Sequence, residues 1–481
     1  MADPAVAAAA VADELPPLPR RTRLGTVYAS PLVQVILISL VCFCTPGMFN
    51  ALSGVGGGGQ VDPKAANDAN VALYACFAVV GFFSGSIINR IGARLAFSLG
   101  ASGYALYMGA LLNYNIRATN GFVVAAGALL GVAAGLLWTA QGSLVLAYAT
   151  EAQKGRLFAV FWIVFNMGGT IGSAIETGLS WNSTSNTVSN SVYIVFLVIA
   201  AVGALIPMAL VNPATVVRND GTRVIPPIHP TWKTEFLGMW QLLKKETIVL
   251  LLFPLFFCSN FMYTWEQNSY NGALGTLRAR SLNSLLFWVS QMFGAAVFGI
   301  LIDLKRFGRR NRARASLAFL FIFHMAIWGA SYHKQRGYYR TPDGASVPRI
   351  DVKDSSYGGF AALYFFQGVL DAVTQNWAYW LMGAISNSPA QLARLVGLYK
   401  GIQSAGAAGA FAMDSALTPY MNELAATWAV CAAGLLFATP VVHWRITDHT
   451  EDEVVVVAEP VLSTDLVSVS SGEEKKRDEA V

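Results

Sequence analysis

Charge is scarce in this sequence. Asp, Glu, Lys and Arg make up 13% of its 481 residues, against about 25% in soluble domains. With 54% of residues hydrophobic, that shortage excludes a water-soluble globular protein and puts the chain in lipid. Cysteine is scarce too: Cys42, Cys44, Cys76, Cys258 and Cys431 all fall inside apolar runs, which excludes a disulfide framework and a thiol metal site. Histidine is equally thin. His229, His324, His333, His443 and His449 lie far apart without Ser or Cys partners. No catalytic constellation, metal or cofactor is therefore expected, and an enzyme is not. Gly56 to Gly59 form a glycine run, but no Gly-Lys-Ser/Thr follows it, so it is no phosphate loop. Nothing points to a nucleic-acid partner. Residues 1–30 lack a short apolar core with a small-residue cleavage site, so the first apolar run is expected to act as an uncleaved signal anchor.

What the chain has in abundance is apolar runs of about 20 residues, the length that crosses a bilayer as a helix. Twelve occur: 31–53, 70–89, 94–113, 121–147, 156–179, 191–212, 247–269, 282–303, 313–332, 357–384, 390–414 and 424–444. A polar connection, 213–246, divides them six and six. With the amino terminus on the cytoplasmic side, inner segments hold nineteen Lys/Arg and outer loops nine. Positive residues favour the inner side, so both termini are expected to be cytoplasmic. Plasma and vacuolar or endosomal membranes are not distinguished. The sequon Asn182-Ser183-Thr184 then falls outside, where Asn182 would be open to glycosylation.

The two halves echo each other. Arg156 to Glu176 reads RLFAVFWIVFNMGGTIGSAIE and Arg394 to Asp414 reads RLVGLYKGIQSAGAAGAFAMD. Laid together without a gap, Arg156 meets Arg394, Gly168 meets Gly406, and Glu176 meets Asp414. A second echo lies in two short basic turns, GSIINRIGAR (Gly85, Arg90, Gly92, Arg94) and GILIDLKRFGRR (Gly299, Asp303, Gly308, Arg309). Their arginines are expected to reach helix carboxyl ends and lipid phosphates. A duplicated membrane protein of this kind commonly binds its solute between the halves, at mid-membrane depth.

Charged side chains inside the membrane cost about 2.5–3.5 kcal/mol each on insertion scales and so seek partners in the interior. Asp371 lies deep in the tenth run and Lys400 deep in the eleventh, at depths about 6 Å apart by residue count. A facing Asp371–Lys400 ion pair is expected, either at a solute or proton site or as a helix lock. Around it stand Gln367, Gln375, Asn376, Trp377 and Gln403. Glu266 and Asn268 occupy the outer part of the seventh run, Trp138 and Gln141 the fourth, and Asn50 the first. These groups suit a polar or amphipathic organic solute, and they equally suit interhelical hydrogen bonds. Glu176 and Asp414 are candidate outer-gate carboxylates able to take up a proton.

The basic turns resemble the loop motif of the major facilitator superfamily, with Asn89 where the first copy would have Asp and Asp303 keeping the acid in the second. YASPLVQVILISLVCFCTPGMFNALSGVGGGGQVD (28–62), GVAAGLLWTAQGS (131–143), EAQKGRLFAVFWIVFNMGG (151–169), TWKTEFLGMWQLL (231–243) and RLVGLYKGIQSAG (394–406) resemble the "uncoordinated" family, the Unc-ninety-three-like proteins in their fungal form. The resemblance runs from about residue 26 to 445. It implies an all-α membrane protein of twelve transmembrane helices in two pseudo-symmetric six-helix bundles. The expected organisation is a cytoplasmic tail (1–25), one bundle (26–212), a linker with an interfacial amphipathic helix (213–246), a second bundle (247–445) and a disordered acidic tail (446–481) with Ser470 and Ser471 in a phosphorylatable context. The family includes transporters and helpers that regulate channels or escort receptors. Two readings follow: a secondary transporter that moves a small polar or amphipathic solute by alternating access, with proton coupling through a titratable carboxylate as an option, or a scaffold that binds a membrane-protein partner. The polar belt in runs seven and ten favours the carrier, and the degenerate turn motif favours the scaffold.

Overall fold

A computed structural model describes residues 18–60, 63–150, 153–183, 186–224, 237, 240–241, 243–244, 247–304, 306–341, 344–386 and 389–448. The expected interfacial helix at 231–243 and the tail beyond 448 lie largely outside them. Among the described residues, twelve helical segments run back and forth. They are α1 (Pro31–Cys44 with Pro46–Val55), α2 (Pro63–Ile91), α3 (Ala93–Arg117), α4 (Asn120–Tyr148), α5 (Lys154–Ser180), α6 (Asn190–Gly203), α7 (Phe253–Tyr263, continued as a π-helix over Thr264–Gly272), α8 (Leu277–Ile302), α9 (Arg309–Gln335), α10 (Tyr357–Ile385), α11 (Pro389–Ser415) and α12 (Tyr420–Pro440). An even number of crossings puts both chain ends at one end of the bundle, here called the terminal end, and the opposite one is the far end.

Three helices depart from simple apolar rods. α1 bends by 41° at Thr45, where Pro46 withholds the amide proton that would continue the ladder. α6 stops at Gly203 and gives way to a short 3₁₀ turn, Ile206–Ala209, because Pro207 interrupts it. α7 begins as a 3₁₀ turn over Thr247–Leu252 and ends wide, as a π-helix. Among the described residues, nine helices are apolar and long enough to cross a membrane on their own, and ten if the bent α1 counts as one span. α10 and α11 are not among them; these two carry Asp371 and Lys400.

Packing repeats with the sequence. Within the first six helices α2 lies on α4, α3 on α4 and α6, and α1 on α5. Within the last six α8 lies on α10, α9 on α10 and α12, and α7 on α11. Adding six to each label converts the first set into the second. Between the halves, α2 packs along α11 and α5 along α8, which the same operation exchanges. Helices in lipid gain nothing by hiding apolar surface from one another, so small residues that allow close backbone approach decide such contacts. Gly168 of α5 lies against the Phe43 backbone of α1, and its repeat mate Gly406 of α11 lies against the Phe257 backbone of α7. Neither position has room for a Cβ.

At the terminal end, arginines close helix carboxyl ends whose last carbonyls have no partner in their own ladder. Arg312 Nη1 donates to Ile302 O at 2.5 Å, Arg218 Nε to Ala147 O at 2.9 Å, and Arg445 Nη2 to Ile385 O at 3.3 Å. At the far end, the loop before α10 folds back as a small hairpin, β1 (Arg340–Thr341) against β2 (Gly344–Ala345).

Candidate functional site

α10 and α11 bring the two deep charges into one layer at the centre. Asp371 is wholly buried. Its carboxylate accepts from Tyr263 Oη at 2.7 Å, from Gln375 Nε2 at 2.8 Å and from Gln291 Nε2. Lys400 Nζ donates to Gln403 Oε1 at 2.8 Å. The ammonium otherwise faces aromatic rings, 4.9 Å from Trp138, 5.1 Å from Tyr399 and 5.5 Å from Tyr379. Gln403 Nε2 donates in turn to Gln375 Oε1 at 3.2 Å and to Ser259 Oγ at 2.9 Å.

The expected direct Asp371–Lys400 ion pair is therefore replaced by a chain: carboxylate, Gln375 amide, Gln403 amide, ammonium. The reason is local saturation. Three donors already serve the carboxylate, and the two glutamines fill the gap between the helices with their dipoles aligned from one charge to the other.

The other predicted residues divide. On α10, at about 100° per residue, Gln367, Thr374 and Trp377 sit about 40°, 60° and 120° to one side of Asp371, facing α9. Their polar atoms go there: Gln367 Nε2 donates to Ser331 Oγ at 3.1 Å, Thr374 Oγ1 meets His324 Nε2 at 3.0 Å, and Trp377 Nε1 donates to Ser316 Oγ at 2.8 Å. Gln367 and Trp377 thus join helices rather than the central layer. Asn376 is buried with its Oδ1 unpartnered, and Gln141, wholly buried on α4, has no partner for either amide atom. Trp138 Nε1 donates to Tyr104 Oη at 3.1 Å. Asn50 is half-buried on the second segment of α1. Glu266, on the π-helix, is wholly buried with both carboxyl oxygens unpartnered.

The far end is a polar seal across both halves. Asp414 Oδ2 accepts from Asn67 Nδ2 at 2.7 Å and from Asn268 Nδ2 at 2.8 Å. Arg340, from β1, reaches in to bond Asp414 at 2.5 Å and Glu423 at 2.8 Å, its guanidinium 4.1 Å from the Tyr420 ring. Burial works against the Arg340 charge, but Asp414 and Glu423 outweigh it and hold the guanidinium above its ordinary range. The Gly54 carbonyl of α1 takes hydrogen bonds from Asn271 at 2.8 Å and Tyr364 at 3.0 Å, both in the other half. Glu176, the repeat mate of Asp414, is buried beside the Ser281 and Ser180 hydroxyls, with Arg280 near by.

The terminal end is closed by aromatic rings. Phe158 of α5 meets Tyr379 of α10 with centroids 4.4 Å apart, and Tyr379 meets Tyr399 at 5.3 Å. Nearby, the basic turns serve structure. Gly92 turns with φ +79°, which L side chains rarely adopt, and Arg94 Nε donates to Leu210 O at 2.5 Å. Gly85 is half-buried and Arg90 exposed. Gly299 lies against Ala159, and Gly308 leaves room for Asp448. Arg309 Nε donates to Thr447 O at 2.7 Å. Burial raises the Asp303 carboxyl above its usual range, with Arg312 opposing. Asn182 is exposed.

Sequence reading left out Gln291, Tyr379, Tyr399, Asn67, Arg340 and Glu423. Gln291, a lone amide beside Ser290 in an apolar run, carried a legible signal. Arg340, in a loop, carried none.

Residues 32–339 match the Major Facilitator Superfamily. An UNC93-like protein of Schizosaccharomyces pombe is 44% identical, covering 90% of this chain and 88% of its own. UNC93-like protein 1 of Arabidopsis thaliana is 38% identical over 89% and 93%. In fold, the chain is similar to the xylose transporter XylE from E. coli in a partially occluded inward-open conformation, with TM-score 0.56, 13% identity, and coverage of 87% and 96%. It is also similar to the human organic anion transporter MFSD10, with TM-score 0.56, 13% identity, and coverage of 86% and 99%.

Proposed function

The chain belongs to the UNC93-like branch of the major facilitator superfamily, an integral multi-pass membrane protein in the lipid bilayer, and from that premise we propose that it is a secondary carrier of a small solute. It works by alternating access, with the chain from Asp371 to Lys400 as the solute and coupling site and both chain ends in the cytoplasm. The observation that carries this reading is where that chain lies. A buried acid and a buried base, joined through two amides, occupy the layer where Trp138 of one half meets Lys400 of the other. A polar seal lies on one side and an aromatic plug on the other. A helix lock would need only a direct pair. A site that must admit a solute, then close again empty, needs partners that can be exchanged, and glutamine amides can swap hydrogen bonds at small cost. Asp371 is the proton-coupling group in this reading, because its charge is held by donors that a protonated carboxyl would partly release.

The test is uptake into liposomes. Vesicles with and without purified protein are loaded against a metabolite extract at two pH values, and the contents are compared. The expected result is pH-dependent accumulation of at least one compound, lost in Asp371→Asn. The scaffold reading draws on the substitution of Asn89 in the first turn motif. Under it no compound accumulates, and co-purification with a membrane-protein partner survives both Asp371→Asn and Lys400→Met.

A further inference from the structure

The two central charges are served unequally, and the inequality identifies a ligand class. Asp371 has three hydrogen-bond donors on it. Lys400, with three protons to give, has one hydrogen-bond acceptor, Gln403 Oε1. Around it stand three aromatic rings, with centroids 4.9–5.5 Å from Nζ. A cation–π contact steadies an ammonium but leaves its donors free for an incoming anion.

On the helix that carries Trp138, one turn further on, stands an unspent amide. Trp138 lies under Lys400, and one helix turn further toward the terminal end, Gly142 of α4 lies against Val396 of α11, one turn before Lys400. Gln141 lies between these two in sequence, about 60° round α4 from Trp138, wholly buried, with neither its oxygen nor its nitrogen partnered. A buried amide left unbonded is destabilising, a cost that a ligand atom in hydrogen-bond reach would remove. The rings beside Lys400 continue into an aromatic wall. Trp138 meets Phe165 edge to face at 5.3 Å, and Phe158 stacks on Trp162 at 5.8 Å.

We infer that the solute is an organic anion, a carboxylate or sulfonate on an apolar or aromatic body, with its acid group held by the Lys400 ammonium and the Gln141 amide and its body lying against Trp138 and Phe165. This inference rests on the carrier reading for how the ligand reaches a buried site, but not for whether it binds. It also gives the proton a purpose. An anion carried together with one proton moves no net charge, so the membrane potential does not oppose its entry.

Three probes share one ring system and differ in charge: indole-3-acetate, tryptophol and tryptamine. Each is titrated into the purified full-length protein, with the thermal midpoint as readout, and each is then offered radiolabelled to proteoliposomes. The acid is expected to raise the midpoint, the alcohol less, and the amine not at all. Lys400→Met is expected to weaken the acid at least tenfold while Lys400→Arg retains binding, and Gln141→Leu to weaken it about threefold to tenfold. Should Lys400→Met fail to fold, Gln141→Leu carries the test. Equal or stronger stabilisation by tryptamine, or acid binding unchanged in Gln141→Leu, overturns the inference. Acid binding without uptake upholds it and removes the carrier reading. Uptake of the amine or alcohol with no response to the acid does the reverse.

Discussion

The two copies of the repeated segment, 156–176 in α5 and 394–414 in α11, are alike at their ends and unlike in the middle. Gly168 and Gly406 make the same backbone contact in the two halves, and Glu176 and Asp414 both lie buried toward the far end. Ahead of the glycines, the positions that hold Trp162 and Phe165 in the first copy hold Lys400 and Gln403 in the second. Aromatic rings on one side thus confront a cation and an amide on the other. Duplication preserved what positions the helices and released what fills the space between them. Architecture is symmetric and chemistry is not.

The sharpest break in that comparison lies at the acids. Asp414→Ala removes the acceptor of Arg340, Asn67 and Asn268. Stripping one partner from a buried charge pair costs about 3–5 kcal/mol; Glu423 still holds Arg340, so a loss of about 3 kcal/mol is expected. Glu176→Gln, which keeps an acceptor for the neighbouring Ser281 and Ser180 hydroxyls, should change stability by less than about 1 kcal/mol. Thermal unfolding in detergent measures both, and equal losses would mean that the two acids do the same work after all. The glycines should behave in the opposite way. Gly168→Ala and Gly406→Ala each drive a methyl into a facing backbone and should cost roughly 1–3 kcal/mol, by similar amounts; one harmless variant would end the equivalence. The smallest effect is expected outside the repeat, at the far-end loop. Arg278 donates to Asp351 at 2.7 Å, and this hydrogen bond first of all lowers the Asp351 carboxyl below its ordinary range, with Thr276 and the Lys353 amide adding to it. A folded-state value below the unfolded one stabilises above about pH 3.9 and loses that stabilisation as acid protonates the folded carboxylate. Asp351→Asn should therefore cost about 0.2–1 kcal/mol at pH 7 and flatten the acid limb of a stability profile between pH 2 and 5.

Much of this architecture could be read in the chain. The apolar runs mark the helices because lipid tolerates little else, and the repeat marks the pairing because glycines that let backbones touch must recur wherever that contact recurs. Asp371, Lys400, Gln375 and Gln403 stood out by their cost in lipid. Their arrangement did not. Whether two charges at matched depth touch depends on helix rotation and on what lies between, and residue counts give depth alone. Gln367 and Trp377 fall among the neighbours of Asp371 in sequence but turn toward α9. Arg340 reaches Asp414 across 74 residues, a distance no local pattern encodes. The helix ends are met by other arginines than the ones named from the basic turns: Arg312, Arg218 and Arg445 donate to carbonyls at α8, α4 and α10, while Arg94 and Arg309 bond Leu210 O and Thr447 O.

The wide winding of Thr264–Gly272 leaves slack in an otherwise taut coil. Asn268 and Asn271 clasp the other half from that stretch, while Glu266 hangs from it unattached. A π-helix holds one residue more per turn than ordinary winding would. Tightening that coil by a single residue would swing the stretch by about 100°, carrying both asparagines off their grips together. The two clasps are thus threads on one screw, and a quarter-turn of the thread undoes both at once.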